Sequence, residues 1–222
     1  MRPIPLLLVL LLAPLLPLSA MATPVTTAVN APPAATTASV YVALDTNLGQ
    51  VVIELDPVRA PLTVANFLAY LDAGHYNGTV FHRVVPHLLV QGGGFTPDLQ
   101  PKPERAPVVN EAGNGLSNLR GSVAAARRPD TADSAGAQFF INVVDNPQFD
   151  RSDASDPFTA GYAVFGRVVA GMDVIDRMRE VETGPAGPFP SRVPRTPIVI
   201  ERAGRTEAPA VLPPAPMPRV DR

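Results

Sequence analysis

Phe81-His82-Arg83-Val84-Val85-Pro86-His87-Leu88-Leu89-Val90-Gln91-Gly92-Gly93 is the stretch on which the reading of this chain turns. Two short apolar runs, Thr79 to Val85 and Leu88 to Gln91, lie on either side of Pro86-His87, and Gly92, Gly93 and Gly94 follow. Apolar runs this short, bounded by Pro and Gly, read as strands; a helix needs a longer periodic stretch.

The same grammar repeats outward in both directions. From Val40 to Leu55 the apolar residues alternate on either side of Asn47-Leu48-Gly49, which predicts strand, tight turn and strand. Pro61 can open a helix because its missing amide hydrogen is not needed there; Val64, Phe67, Leu68 and Leu71 share one face before Gly74 ends it. Further short runs predict strands at Gly121 to Ala126, Gln138 to Val143, Ala163 to Val168 and Pro197 to Glu201, with a second helix over Met172 to Val181. Many short strands with two helices, lacking a regular strand-helix alternation, favour a sandwich or a closed barrel over a doubly wound sheet.

The two ends differ in composition from this middle. Residues 1–22 read as a secretory signal: Arg2 supplies the positive start, Leu6 to Leu16 an almost unbroken apolar stretch, and Ala20-Met21-Ala22 a small-x-small cleavage site. Pro14 and Pro17 interrupt a stretch already shorter than the roughly 20 residues of a spanning helix, so cleavage is expected rather than anchoring. Export to the periplasm or beyond follows, with no membrane attachment of the mature chain. Residues 23–38 form an uncharged linker of mainly Ala, Thr and Pro, and residues 205–222 a tail with prolines at 209, 213, 214, 216 and 218; neither composition can pack a core. One domain is expected over residues 39–204.

Composition closes several functional classes. The 222 residues carry 18 Lys and Arg against 20 Asp and Glu, a net charge of −2, which gives no electrostatic basis for binding nucleic acid. Cysteine is absent, excluding disulfides, a thiolate nucleophile and sulfur-ligated zinc. His75, His82 and His87 are the only histidines, and none of their spacings is that of a metal site. There is no Gly-x-Ser-x-Gly elbow, and Gln91-Gly92-Gly93-Gly94-Phe95 lacks the Lys-Ser/Thr of a phosphate loop. No metal or cofactor is expected.

Taken with Gln138-Phe139-Phe140-Ile141-Asn142, Gly161-Tyr162-Ala163-Val164-Phe165-Gly166 and Asn110-Glu111-Ala112, the opening stretch resembles the cyclophilin family of peptidyl-prolyl cis-trans isomerases. The likeness runs from about Val40 to Ala203 and is greatest to the short bacterial periplasmic members. It implies an all-β fold: a closed eight-stranded antiparallel barrel capped by two helices, its interior packed and its proline pocket on the outer surface. It also implies a monomer acting without a cofactor on unfolded or partly folded proteins and peptides that expose X-Pro bonds.

Residue by residue, the resemblance makes Arg83 the catalytic group and Gln91 the side chain that orients it. Phe140 becomes the aromatic floor of the pocket, with Leu88, Leu89, Gln138, Gln148, Phe149 and Tyr162 around it. Ala126 and Arg127 match positions that meet the peptide through their backbone, so their side chains should be free to vary. His82 is expected to be a buried, hydrogen-bonded structural residue, since the reaction moves no proton. The chain departs from the family where Leu88 and Gln148 replace usual aromatics and Leu89 a usual methionine, and Arg151 to Ala160 make a longer connection than bacterial relatives carry. A weaker grip on proline and poor binding of cyclosporin are expected. Two other readings would keep the chain without turnover: a peptide-binding module with the same fold, or a carrier with a hollow, apolar barrel.

Overall fold

The computed structural model describes residues 39–210; the expected signal and linker, and the tail from residue 211, lie outside the described residues. The first hairpin forms as its alternation predicts: β1 (Val40–Thr46) and β2 (Gly49–Leu55) pair in register from Val40↔Leu55 to Thr46↔Gly49. Helix α1 (Pro61–Asp72) follows, with Pro61 in its first turn. The chain then supplies β3 (Thr79–Val80), β4 (Arg83–Val85), β5 (Leu89–Gly92), β6 (Ser122–Ala125) and β7 (Phe139–Asn142). After a 3-10 turn at Pro147–Phe149 come β8 (Val164–Ala170), α2 (Met172–Arg179), β9 (Thr183–Ala186), β10 (Phe189–Pro194) and β11 (Val199–Thr206).

Nine of the strands form one curled antiparallel sheet in the order β3-β11-β1-β2-β8-β6-β7-β5-β4, and β9 with β10 make a separate hairpin. The ladder holds nine strands where eight were expected, and its two edges, β3 and β4, are not hydrogen-bonded to each other. The run Thr79 to Val85, predicted as a single strand, divides at Phe81-His82. Its first part pairs with β11, Val199↔Val80, and its second with β5, Arg83↔Gln91. Two successive pieces of one extended run cannot also ladder with each other, so the two edges of the sheet are consecutive in the chain. The β9–β10 hairpin was not predicted, because Gly184-Pro185 and Pro190-Ser191 interrupt any alternation; proline is tolerated on such an edge pair.

Alternation on the strands creates two apolar faces. Val42, Leu44, Ile53, Val90, Val123 and Ile141 point inward and, with Phe67 of α1 and Ile175 and Met178 of α2, form one continuous core. A crevice against it, beside Phe67, Tyr76 and Phe139, has room of only ≈ 10 Å³. That is at the lower limit for one water, and the side chains of this core fill the space on which the sheet curls. The intervening residues Leu89, Phe140, Ala124 and Val164 point the other way and form a second, smaller cluster on the outside of the sheet.

Helix α1 has no local side-chain cap at Ala60. Glu111, far along the chain, takes that role: its carboxylate accepts from the backbone N–H of Leu62 at 3.0 Å, that of Thr63 at 2.8 Å, and the Thr63 hydroxyl at 2.7 Å. A carboxylate there satisfies two orphaned donors and opposes the positive end of the helix dipole.

Candidate active site

The outer cluster is built on one row of cross-strand partners. Arg83 on β4 faces Gln91 on β5, Gln91 faces Phe140 on β7, Phe140 faces Ala124 on β6, and Ala124 faces Val164 on β8. Period-two alternation therefore places a guanidinium, an amide, an aromatic ring and small aliphatic groups side by side on one surface. Arg83 Nη1 donates to Gln91 Oε1 at 3.0 Å, and Gln91 Nε2 donates to Gln138 Oε1 at 3.1 Å. The amide of Gln91 is thus bonded at both ends, which limits the rotamers open to Arg83. Gly94 allows this arrangement: a Cβ there would lie 2.5 Å from Gln138 Cγ.

Three rings close the cluster. Phe140, only 2% exposed, meets Phe149 at 5.6 Å and Tyr162 at 5.5 Å between centroids, and Phe149 meets Tyr162 at 5.2 Å, all edge-to-face. Phe149 reaches this position from the 3-10 turn that follows β7. Gln148, its neighbour, is exposed and donates instead to Asn146 Oδ1 at 3.1 Å. Leu88, Leu89 and Ala126 border the same cluster. Arg127 turns its side chain away from the row, toward the carbonyls of Gly161 and Pro157.

Electrostatics single out Arg83. Its side chain is exposed, yet the protein packed around the guanidinium removes enough water to lower its pKa from the ordinary arginine value; Arg192 adds like charge, and Tyr162 acts in the opposite sense. Among the described residues it makes one side-chain hydrogen bond, through Nη1, leaving donors for a bound group. His82 beside it is 4% exposed, tilted against Phe95 at 4.6 Å and Phe189 at 5.3 Å. Its burial, with the Arg83 charge second, lowers its pKa to about 4, and its Nδ1 has no partner among the described residues. It is a buried imidazole held by aromatic contact and by a hydrogen bond with the backbone of Val80, with Nδ1 left bare.

A polar layer lies behind the cluster, and no sequence pattern had marked it. Asn118, Asn142 and Asn146 are at most 1% exposed. Asn142 Nδ2 donates to Asn118 Oδ1 at 3.1 Å and Ser122 Oγ at 2.8 Å, while Asn146 Nδ2 donates to Asn142 Oδ1 at 2.7 Å and the Leu88 carbonyl at 2.8 Å. Asn118 Nδ2 also reaches the Tyr162 carbonyl at 3.3 Å. The layer ties the Leu88 and Tyr162 segments to β7. An asparagine ending an apolar run, as Asn142 does, looks in sequence like an ordinary turn residue.

A guanidinium with free donors beside an aromatic-floored cluster, on the outside of a curled sheet, is the decisive arrangement when set against known proteins. Residues 41–205 match the model of the cyclophilin type peptidyl-prolyl cis-trans isomerase family. The chain belongs to that family. The peptidyl-prolyl cis-trans isomerase A of Dickeya dadantii is 46% identical over 186 residues, 84% of this chain and 95% of that protein. A peptidyl-prolyl cis-trans isomerase of Streptomyces antibioticus is 52% identical over 162 residues, 73% of this chain and 96% of that one. Isomerase B of Escherichia coli is 47% identical over 160 residues, 72% of this chain and 96% of its own. For the fold, the crystal structure of a Cryptosporidium parvum cyclophilin type isomerase, in the presence of the dipeptide Ala-Pro, superposes with TM-score 0.63 and 24% identity, over 76% of this chain and 99% of that chain. This cyclophilin is a peptidyl-prolyl cis-trans isomerase, and proline-containing peptides are its substrates.

Proposed function

We propose that this cyclophilin accelerates folding of exported proteins in the periplasm or outside the cell, as a monomer, with Arg83 its catalytic residue and the outer cluster its proline pocket. The observation that carries the site assignment is the Arg83 guanidinium, held by Gln91 beside Phe140 with donors to spare. The address rests on the sequence of residues 1–22.

The chemistry follows from the amide. Its partial double bond sets a barrier of about 18–20 kcal/mol, and X-Pro bonds interconvert in tens to hundreds of seconds. In the twisted transition state conjugation is lost and the proline nitrogen recovers a basic lone pair. Arg83 donates to that nitrogen, an interaction almost absent in the planar ground state, and so binds the transition state selectively. Phe140, with Leu88, Leu89, Phe149 and Tyr162, holds the ring, while Ala126 and Arg127 offer backbone and Gln91 and Gln138 orient the guanidinium. A rate gain of about 10⁵ corresponds to about 7 kcal/mol, within reach of a charge-assisted donor, ring burial and desolvation together. Gln148, directed to Asn146, adds no ring to the pocket, which supports a weaker grip on proline and poor binding of cyclosporin. Counting Thr79 to Val85 as one run, we read the sheet as an eight-stranded barrel joined at Phe81-His82 by chain continuity.

The test is the cis-to-trans relaxation of an Ala-Pro peptide with residues 23–222, beside the same protein carrying Arg83→Ala. Acceleration that drops on the substitution by roughly 100-fold, the scale of losing one preorganised donor, supports the assignment. Undiminished acceleration by a folded variant would refute Arg83 as the catalytic residue. Peptide binding without turnover by either protein would favour a binding module whose pocket replacements at Leu88 and Gln148 have cost it the reaction.

A further inference from the structure

Arg127 follows β6, in a position where sequence suggests that the side chain is free to vary. Its guanidinium is nevertheless almost fully engaged. Nε donates to the Gly161 carbonyl at 2.7 Å and Nη2 to the Pro157 carbonyl at 2.8 Å, while Nη1 donates to the carbonyls of Arg128 at 2.9 Å and Pro129 at 3.3 Å. The guanidinium carbon stands 4.7 Å from the centroid of the Tyr162 ring. Four carbonyls from two segments and one aromatic face thus use four of its five N–H donors. Arg83 spends one on protein and keeps the rest for substrate; Arg127 does the reverse.

What Arg127 grips is the excursion from Arg151 to Gly161, between the 3-10 turn and β8. That excursion folds back on itself: the backbone N–H groups of Ser152 and Asp153 both donate to the Thr159 carbonyl, at 3.0 and 3.3 Å, and Thr159 N–H donates to the Asp156 carbonyl at 3.1 Å. Its base is pinched at Gly161, whose φ is +73° and where a Cβ would lie 2.5 Å from Arg151 N. Asn110 Nδ2 closes the base from the other side, donating to the carbonyls of Ala160 at 3.1 Å and Gly161 at 3.0 Å. The next residue is Tyr162, whose ring lies against Phe140 and Phe149.

We propose that Arg127 is a positioning residue for substrate binding: by clamping Pro157 and Gly161 it holds Tyr162 in the wall of the proline pocket and fixes the excursion as that pocket's rim. The assignment rests on reading the outer cluster as the proline pocket. It predicts that Arg127 governs affinity for the peptide and leaves the rotation step to Arg83, which the clamp does not touch.

The experiment compares KM and kcat for an Ala-Pro peptide in the wild-type protein, Arg127→Ala and Arg127→Lys, with thermal unfolding and the Tyr162 ring NMR signals recorded for each. Losing charge-assisted hydrogen bonds and a stacked cation is expected to raise KM in Arg127→Ala by roughly tenfold with kcat within about twofold, and to shift the Tyr162 signals. Arg127→Lys, which keeps the charge without the planar fork, falls between the two. A folded Arg127→Ala with wild-type KM, or a loss confined to kcat, overturns the proposal. If Arg127→Ala does not fold, Arg127→Lys is read alone by the same criteria. A wild-type protein that binds the peptide without turning it over refutes the isomerase reading instead, and the peptide dissociation constant then replaces KM.

Discussion

Arg83 and Gln91 face each other across β4 and β5, and the 3.0 Å hydrogen bond between their side chains is continued by a 3.1 Å bond from Gln91 to Gln138. An exposed arginine ordinarily samples many rotamers; here a neighbouring amide, itself held at its far end, selects one. Preorganisation of the donor is then a property of the strand pairing, since it is in place before any peptide arrives.

Replacing Gln91 by Leu keeps the shape and removes both bonds. We expect kcat/KM to fall by roughly tenfold as Arg83 loses its fixed orientation, with little change in thermal stability at this half-buried position. Relaxation kinetics on an Ala-Pro peptide measure it, and activity within twofold of wild type would remove Gln91 from the orienting role.

The asparagine layer carries a stability prediction. Asn142→Leu, close in volume, orphans Asn118 Oδ1 and takes one bond each from Ser122 Oγ and Asn146 Nδ2, which keep the carbonyls of Leu119 and Leu88. An orphaned buried group costs about 1–3 kcal/mol and each further lost bond about 1 kcal/mol, so urea unfolding should show a loss of about 3 kcal/mol. A loss below about 1 kcal/mol would mean that the layer relaxes or admits water.

His82 makes stability depend on pH. Folding lowers its pKa from 6.5 to about 4, so between these values the unfolded chain binds a proton that the folded chain refuses. Stability from this group is complete above about pH 6.5, declines as pH falls, and reaches its full loss below about pH 4. At about 1.4 kcal/mol per unit, that loss is about 3 kcal/mol. His82→Phe, a ring suited to the space between Phe95 and Phe189, should show a correspondingly shallower decline of unfolding free energy from pH 7 to pH 4. Parallel pH profiles for the two proteins would show that the decline originates in other groups.

Leu88→Phe tests the pocket in the direction of gain. Leu88 borders the cluster of Phe140, Phe149 and Tyr162, and an added aromatic contact contributes about 0.5–1.5 kcal/mol beyond its area. KM for an Ala-Pro peptide should fall by about two- to tenfold with kcat nearly unchanged. An unchanged or raised KM would place Leu88 outside the surface that proline meets.

Much of this was written locally. The alternation of Val40 to Leu55 sets a hairpin whose register the structure reproduces, and Pro61 and Gly74 bracket the first helix, because turn chemistry and side-chain period depend only on near neighbours. The motif from Phe81 to Gly93 carried the family for the same reason: Arg83 and Gln91 lie in one hairpin, eight residues apart, where strand geometry alone makes them partners.

What required the tertiary structure was every relation that depends on how the sheet curls and where loops return. Phe139 and Phe140 are indistinguishable as adjacent apolar residues, but the curl sends one into the core and the other to the outer cluster. The division of Thr79 to Val85 between two sheet edges, the aromatic enclosure of His82 by Phe95 and Phe189, and the hold of Arg127 on Pro157 and Gly161 all join segments distant in the chain. The sequence by itself determined most of the strands, both helices and the family; the three-dimensional packing decided which side chains share one surface and which are spent on the protein. The physical reason is that hydrogen-bond donors and rings are satisfied by whatever lies within a few ångströms, and that proximity is set by long-range pairing rather than by sequence spacing.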